Sequence, residues 1–173
     1  FKLDSIYRVS DTTINTVQIF PPFTTTLNPG TSFINNNNII RLTTGGVQLN
    51  KAKIRSGFLR VTIKNTLHSK VNFVYNIPKA SKGGIPFTFT ASVDSGSTTD
   101  PKYYTNDFDF SGYDLDLTGT TGTSFNQINY EVTSTSDPAG YPFVINGYDT
   151  ILNVKTSLIS LTPSYVRGYL GQN

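Results

Sequence analysis

Apolar residues recur at every second position through most of the chain. Phe58 to Asn65 places Leu59, Val61 and Ile63 on one face and Arg60, Thr62 and Lys64 on the other. Val71, Phe73, Tyr75 and Ile77 share a face in the next segment. Phe87, Phe89, Ala91 and Val93 then alternate with Thr88, Thr90 and Ser92, and Ile128, Tyr130 and Val132 repeat the pattern. A period of two is that of a half-buried strand. No window of useful length shows the spacing of an amphipathic helix.

The breaks in the pattern predict how the strands connect. Phe108 and Phe110 keep one parity and Tyr113, Leu115 and Leu117 the other, so a bulge or tight bend is expected at Ser111-Gly112. Gly45-Gly46, between Ile39 to Thr43 and Val47 to Leu49, predicts a two-residue hairpin. Pro78 is expected to end its strand, leaving Gly83-Gly84 in a loop, and Pro138 to Pro142 reads as a turn. Beyond it come Phe143 to Ile145, Ile151 to Val154, Leu158 to Leu161 and Tyr165 to Leu170 as separate short strands. Such a series of short strands predicts an all-β, antiparallel β-sandwich of Ig-like type, with a jelly roll as the second architecture. Residues 1–38, with Pro21-Pro22, Asn28-Pro29-Gly30 and the run Asn35 to Asn38, read as an N-terminal strand or arm and a connection. The sandwich is expected to occupy residues 39–173.

Composition supports a packed sheet protein. At 173 residues, one domain can bury a core without staples. Apolar content is only 36%, but ten Tyr and twelve Phe supply large rings to bury. There is no Cys, so packing alone must hold the framework, and no Met. A chain opening on Phe1 without Met is expected to be a portion of something longer. No run of about 20 apolar residues is present to span a bilayer as a helix.

Charge is sorted along the chain. Between Thr12 and Val93 there is no acid, while Arg41, Lys51, Lys53, Arg55, Arg60, Lys64, Lys70, Lys79 and Lys82 all fall there. From Asp94 to Asp149 the acids Asp94, Asp100, Asp107, Asp109, Asp114, Asp116, Glu131, Asp137 and Asp149 face Lys102 alone. Interleaved as strands, the halves would meet as opposite charges across a ladder. Placed at opposite ends, they would make a dipole suited to head-to-tail contacts. The basic segment spreads its charges singly and carries no nucleic-acid-binding motif, so nucleic acid is not an expected partner.

Catalytic chemistry has little to stand on. His68 is the single histidine and falls in a turn, and no Gly-x-Ser-x-Gly elbow or phosphate loop occurs. Glu131 is the single glutamate and lies on the outward parity, against both a two-carboxylate glycosidase and a buried isopeptide cross-link. The chain is therefore expected not to be an enzyme. Asp107, Asp109, Asp114 and Asp116 form two same-face pairs across a bend and are a candidate calcium site, the one cofactor the sequence suggests. Tyr103, Tyr104, Tyr141 and Tyr148 are candidates for a glycan-stacking platform, although Trp is absent.

The stretch Gly57-Phe58-Leu59-Arg60-Val61-Thr62-Ile63-Lys64-Asn65-Thr66-Leu67, the strand Phe73 to Pro78, Phe108 to Leu117, and the closing Tyr165-Val166-Arg167-Gly168-Tyr169-Leu170-Gly171-Gln172 carry a resemblance. Over residues 47–172 the chain resembles uncharacterised β-rich cell-envelope proteins, often lipoproteins, of Bacteroidota bacteria. The resemblance implies an extracellular or outer-membrane surface location and transfers no catalytic residue. The lipid-attachment Cys such proteins carry upstream is not in this sequence. It also implies O-glycosylation at Asp-Ser/Thr motifs, here Ser5, Thr12 and Thr150.

The sequence thus predicts a non-catalytic structural or interaction domain of a bacterial surface assembly. It would bind a partner protein or its own copies through strand edges and complementary charge. A carbohydrate-binding module and a viral or phage jelly-roll structural protein are the alternatives.

Overall fold

The period-two segments become strands in the computed structural model, which describes residues 10–19, 23–146 and 150–169. They are β1 (Thr12–Ile19), β2 (Thr25–Leu27), β3 (Ser32–Arg41), β4 (Gln48–Asn65), β5 (Val71–Lys82), β6 (Ile85–Val93), β7 (Lys102–Asp109), β8 (Asp114–Asp116), β9 (Gln127–Ser136), β10 (Phe143–Ile145) and β11 (Thr150–Tyr169). No helix occurs among the described residues.

Setting aside the three-residue strands, the rest pair from the outside inwards. β1 pairs with β11, β3 with β9, β4 with β7 and β5 with β6, all antiparallel. First meets last, second meets next-to-last, and the innermost pair is a hairpin. This is one long hairpin rolled up. The cross-links β11–β4 and β9–β5 complete two faces, β1-β11-β4-β7 and β3-β9-β5-β6. The expected sandwich is present, and of the two expected connectivities this pairing realises the jelly roll. β8 pairs with β4 on one side and β5 on the other, tying the two faces together at one end. β2 and β10 form a separate small ladder.

Several connections differ from expectation, each for a physical reason. Gly45-Gly46 makes no hairpin, because β3 and β4 belong to opposite faces; with φ of 63° and 93°, the two glycines carry the chain from one face to the other. The tight hairpin lies at Gly83-Gly84, whose φ values of 61° and 82° suit a turn with both central residues left-handed. Pro78 does not end β5: pairing with β9 stops at Asn76, and the register with β6 shifts between Ile77 and Ser81, so the proline sits in a bulge. The boundary expected at residue 38 falls inside β3, where Asn35 to Asn38 pair with Thr133 to Tyr130. Ladder bonds to β9 override the turn preference of asparagine, and β1 and β3 belong to the sandwich.

The final segments merge into one strand, β11. It bends instead of breaking: its register with β4 shifts between Ile159 and Tyr165, around Ser160 (φ 52°) and Pro163. Gly57 on β4 faces this bulge with φ 128°, and a β-carbon there would lie 2.7 Å from Leu161 Cδ2 and 2.9 Å from the Ser160 carbonyl oxygen. Next to it, Ser111-Gly112 makes the expected bend, following the kink through bonds from Phe110 N to Gly57 O and from Gly112 N to Ile54 O.

The inward parity fills the space between the faces. Leu59, Val61, Ile63, Val71, Phe73, Tyr75, Ile77, Ile128, Tyr130 and Val132 are all buried. Phe87 and Phe89 of β6 reach across to Phe108 of β7 at ring separations of 5.2 and 4.4 Å, sealing one side of the roll with rings. Phe87 is buried and Phe89 and Phe108 are partly so; full burial of such a ring contributes about 1.5–3 kcal/mol.

Candidate functional site

The sorted charges meet across the ladders that join β4 to β7 and β8. Register sets Arg60 opposite Asp107, Lys53 opposite Asp114 and Lys51 opposite Asp116. Arg60 holds Asp107 with two parallel bonds, Nε to Oδ1 at 2.6 Å and NH2 to Oδ2 at 2.7 Å. Lys53 Nζ lies 3.9 Å from Asp114, and Lys79 of β5 lies 3.7 Å from Asp116. Lys79 also donates to the Gly119 carbonyl at 2.7 Å, so the loop after β8 is clipped to the other face. Opposite signs in register favour this pairing over like-with-like alternatives.

The candidate calcium ligands are accordingly engaged one by one. Asp107 goes to Arg60, whose hydrogen bond lowers its pKa. Asp109 accepts from the Ser111 hydroxyl and amide, which lower its pKa likewise. For Asp116, partial burial pushes the pKa up, but the bonds from Thr118 and the nearby lysines outweigh it, leaving the net value lowered. Among the described residues, no three His, Asp or Glu side chains gather where a metal ion could be held. The four carboxylates do not converge, because β7 and β8 lie along successive stretches of β4.

The other singled-out residues are dispersed. His68 is exposed in the turn between β4 and β5. Glu131 faces outward and accepts from Asn76 Nδ2 at 3.1 Å. Tyr103 is exposed while its neighbour Tyr104 turns inward to stack on Phe89, and Tyr141 stands in a turn. Tyr148 and Ser5 lie outside the described residues, as does the side chain of Thr150. Thr12 opens β1, its hydroxyl bonded to the Ser10 carbonyl, and Asp11 beside it accepts from the Ser160 amide.

The two outer faces carry different chemistry. On β3-β9-β5-β6 an open trough of about 390 Å³ is lined by Asn72, Val74, Thr90, Ser92, Thr133 and Thr135, all uncharged. On the opposite face, Phe58 (46% exposed) pairs with Ile159, and further along β11 Tyr165 (53%) and Tyr169 (57%) alternate with Arg167. Tyr165 stands opposite Lys53 and Arg167 opposite Lys51. This row of rings with a cationic border was not singled out from sequence; the parity change at Gly57 is what brings Phe58 and Tyr165 onto one face.

Asparagines supplied another group of positioning residues that pattern reading missed. Asn126, at φ 56°, accepts from Leu49 N and donates to Val47 O and Thr44 Oγ1, fastening the 42–47 crossover to the start of β4. Asn65, fully buried, donates to the carbonyls of Ser69 and Asp94 and accepts from Leu67 N.

No family model matches the chain, and no curated protein does. Among solved structures, it is similar to a chain of the cowpea mosaic virus top component, a naturally occurring empty particle, at 13% identity over 90% of each chain, with a TM-score of 0.33. It is similar to the tobacco streak virus coat protein at 13% identity, again over 90% of each chain, with a TM-score of 0.28. Against the infectious bursal disease virus VP2 subviral particle, identity is 10% over 95% of this chain and 46% of that one, at a TM-score of 0.24. The assignment of a jelly roll rests on the strand pairing described above.

Proposed function

We propose that the chain is a non-catalytic structural subunit that assembles with copies of itself, in the manner of a jelly-roll coat protein. The observation that carries this reading is the row Phe58, Ile159, Tyr165 and Tyr169 on the outer face of β4 and β11. Exposed aromatic rings beside arginine are what the centres of protein–protein contacts are made of. The row needs no further partner within the chain, since the β4–β11 ladder beneath it is already closed.

Charged residues border the row. Lys51, Lys53 and Arg167 lie beside it at the start of β4, with Asp114 and Asp116 across the ladder from the two lysines. A mixed-charge border of this kind can pair with a neighbouring copy, and heterologous contacts close into rings when the rotation allows. Electron microscopy of the purified protein at low salt tests the reading. Closed particles or rings, loosening as salt rises above physiological strength, are the expected result. A field of single monomers at every salt concentration would overturn it.

A cell-surface setting belongs to the proposal on the strength of the resemblance described for residues 47–172. O-glycan at Thr12 would support it, read as added mass on the native protein; a bare mass would count against it. A second reading is glycan binding in the neutral trough of β5, β6 and β9, whose hydroxyl and amide groups suit sugar hydroxyls. A glycan array without a hit would remove it.

A further inference from the structure

Below the paired bulges at Gly57 and Ser160, β4 and β11 run on to the end of the sandwich where β8 joins the two faces. There the interior holds a cleft of about 340 Å³, walled by Leu49, Ile54, Leu115, Leu117, Leu161 and Val166. The first five of these are only 1%, 2%, 3%, 0% and 1% exposed and form the floor, so the accessible surface of the cleft lies towards Val166 and its mouth. Its mouth is edged by Ser10, Thr43, Thr44 and Gly45. No charged residue is among those that line it.

We propose that this cleft binds a small uncharged ligand with a single hydrocarbon chain, its polar end at the threonine rim. The volume lies within the range of small-molecule sites, about 300–1,000 Å³, and far above the roughly 150 Å³ at which an apolar cavity already accepts benzene. The walls are preformed. β8, clipped between β4 and β5, supplies Leu115, while the Asn126 bonds to Leu49, Val47 and Thr44 fix the rim. A pre-organised wall spares the ligand the cost of ordering it. Among the described residues that line the mouth there is no cation, so an ionised head group would lose hydration without compensation from them. An alcohol or ester therefore fits better than a carboxylate.

The test is a titration of the protein with decan-1-ol and with decanoate, followed by the methyl resonances of Leu49, Ile54, Leu117, Leu161 and Val166. Decan-1-ol should shift these methyls and leave those of Val61 and Val71 in place, and decanoate should bind about tenfold more weakly. Ala52→Phe, which fills the cleft from its wall, should weaken decan-1-ol binding by at least about tenfold, with some loss of Tm from the added bulk at a buried position. Should that variant fail to fold, Val166→Phe at the half-buried edge serves the same purpose. Unmoved methyls in the unsubstituted protein, equal binding in the filled variant, or tighter binding of decanoate would overturn the proposal. The outcome is independent of self-assembly.

Discussion

Tyr75 and Tyr130 stack with ring centroids 5.2 Å apart and planes only 10° from parallel, at the centre of the sandwich. Both come from the β5–β9 face, and their hydroxyls cross to the other: Tyr75 to Thr156 of β11 at 3.1 Å, Tyr130 to Thr16 of β1 at 3.0 Å. The pair thus joins the two faces of the roll by polar bonds inside an apolar core, where an unmade bond is expensive. Burial raises the pKa of the Tyr75 phenol well above its ordinary value of 10.0.

Tyr75→Phe should therefore destabilise by about 1–2 kcal/mol, since the buried Thr156 hydroxyl loses one of its two tyrosine partners. Urea unfolding measures this, and Tyr75→Phe with Thr156→Val should lose less than the sum of the single changes. Because the folded phenol titrates above the unfolded one, stability should be intact below pH 10.0 and fall as pH rises beyond it. The Tyr75→Phe variant should show a flatter alkaline limb.

Acid acts on a different set of groups. The carboxylates of Asp107, Asp109 and Asp116 all have pKa values lowered by their donors. Their contribution should be present above the ordinary value of 3.8 and lost as pH falls below it through the folded values. Arg60→Ala should make this acid limb shallower, and added salt should weaken the wild-type contribution at neutral pH. An acid limb unchanged by Arg60→Ala would mean the cross-strand pair contributes nothing.

At Asn126 the side chain and the backbone conformation act together. Asn126→Ala removes three hydrogen bonds and leaves in the left-handed region a residue that tolerates it less well than asparagine, and should cost about 2–4 kcal/mol. Asn126→Gly keeps the conformation while losing the bonds, so it should cost less. Chemical denaturation of the two variants separates the two contributions.

Gly57 carries the kink in β4 opposite the bulge of β11. Gly57→Ala forces a β-carbon against Leu161 and the Ser160 carbonyl, at a left-handed φ of 128°. A loss of about 2–3 kcal/mol or more is expected, with thermal unfolding as the readout.

These residues also mark where the sequence could and could not be read. Alternation located the interior of β4, β5, β6 and β9 because both faces of the sandwich have one dry and one wet side, so parity reports burial directly. It could not report partners, and so the glycine pair at 45–46 read as a hairpin while the real one lay at 83–84: both pairs allow the same turn, and only the destination of the following strand distinguishes them. The asparagine run at 35–38 looked like turn chemistry because local preference ignores a waiting ladder. The charge sorting was legible as a pairing rule, and its partners, Arg60 with Asp107 and Lys53 with Asp114, follow once β4 is known to adjoin β7 and β8. The row of exposed rings was hidden by the bulge at Gly57, which moves Phe58 and Tyr165 to one face although their separation along the chain says nothing of it.

Sedimentation velocity on the unsubstituted protein and on the double variant Phe58→Thr, Tyr165→Thr tests the proposed assembly most directly. Threonine keeps the strand preference while removing the rings. The wild-type protein should sediment as a concentration-dependent oligomer that dissociates with rising salt, and the double variant as a 19.0 kDa monomer with unchanged Tm. A wild-type protein that stays a 19.0 kDa monomer at every concentration, or a variant that assembles equally well, would contradict it.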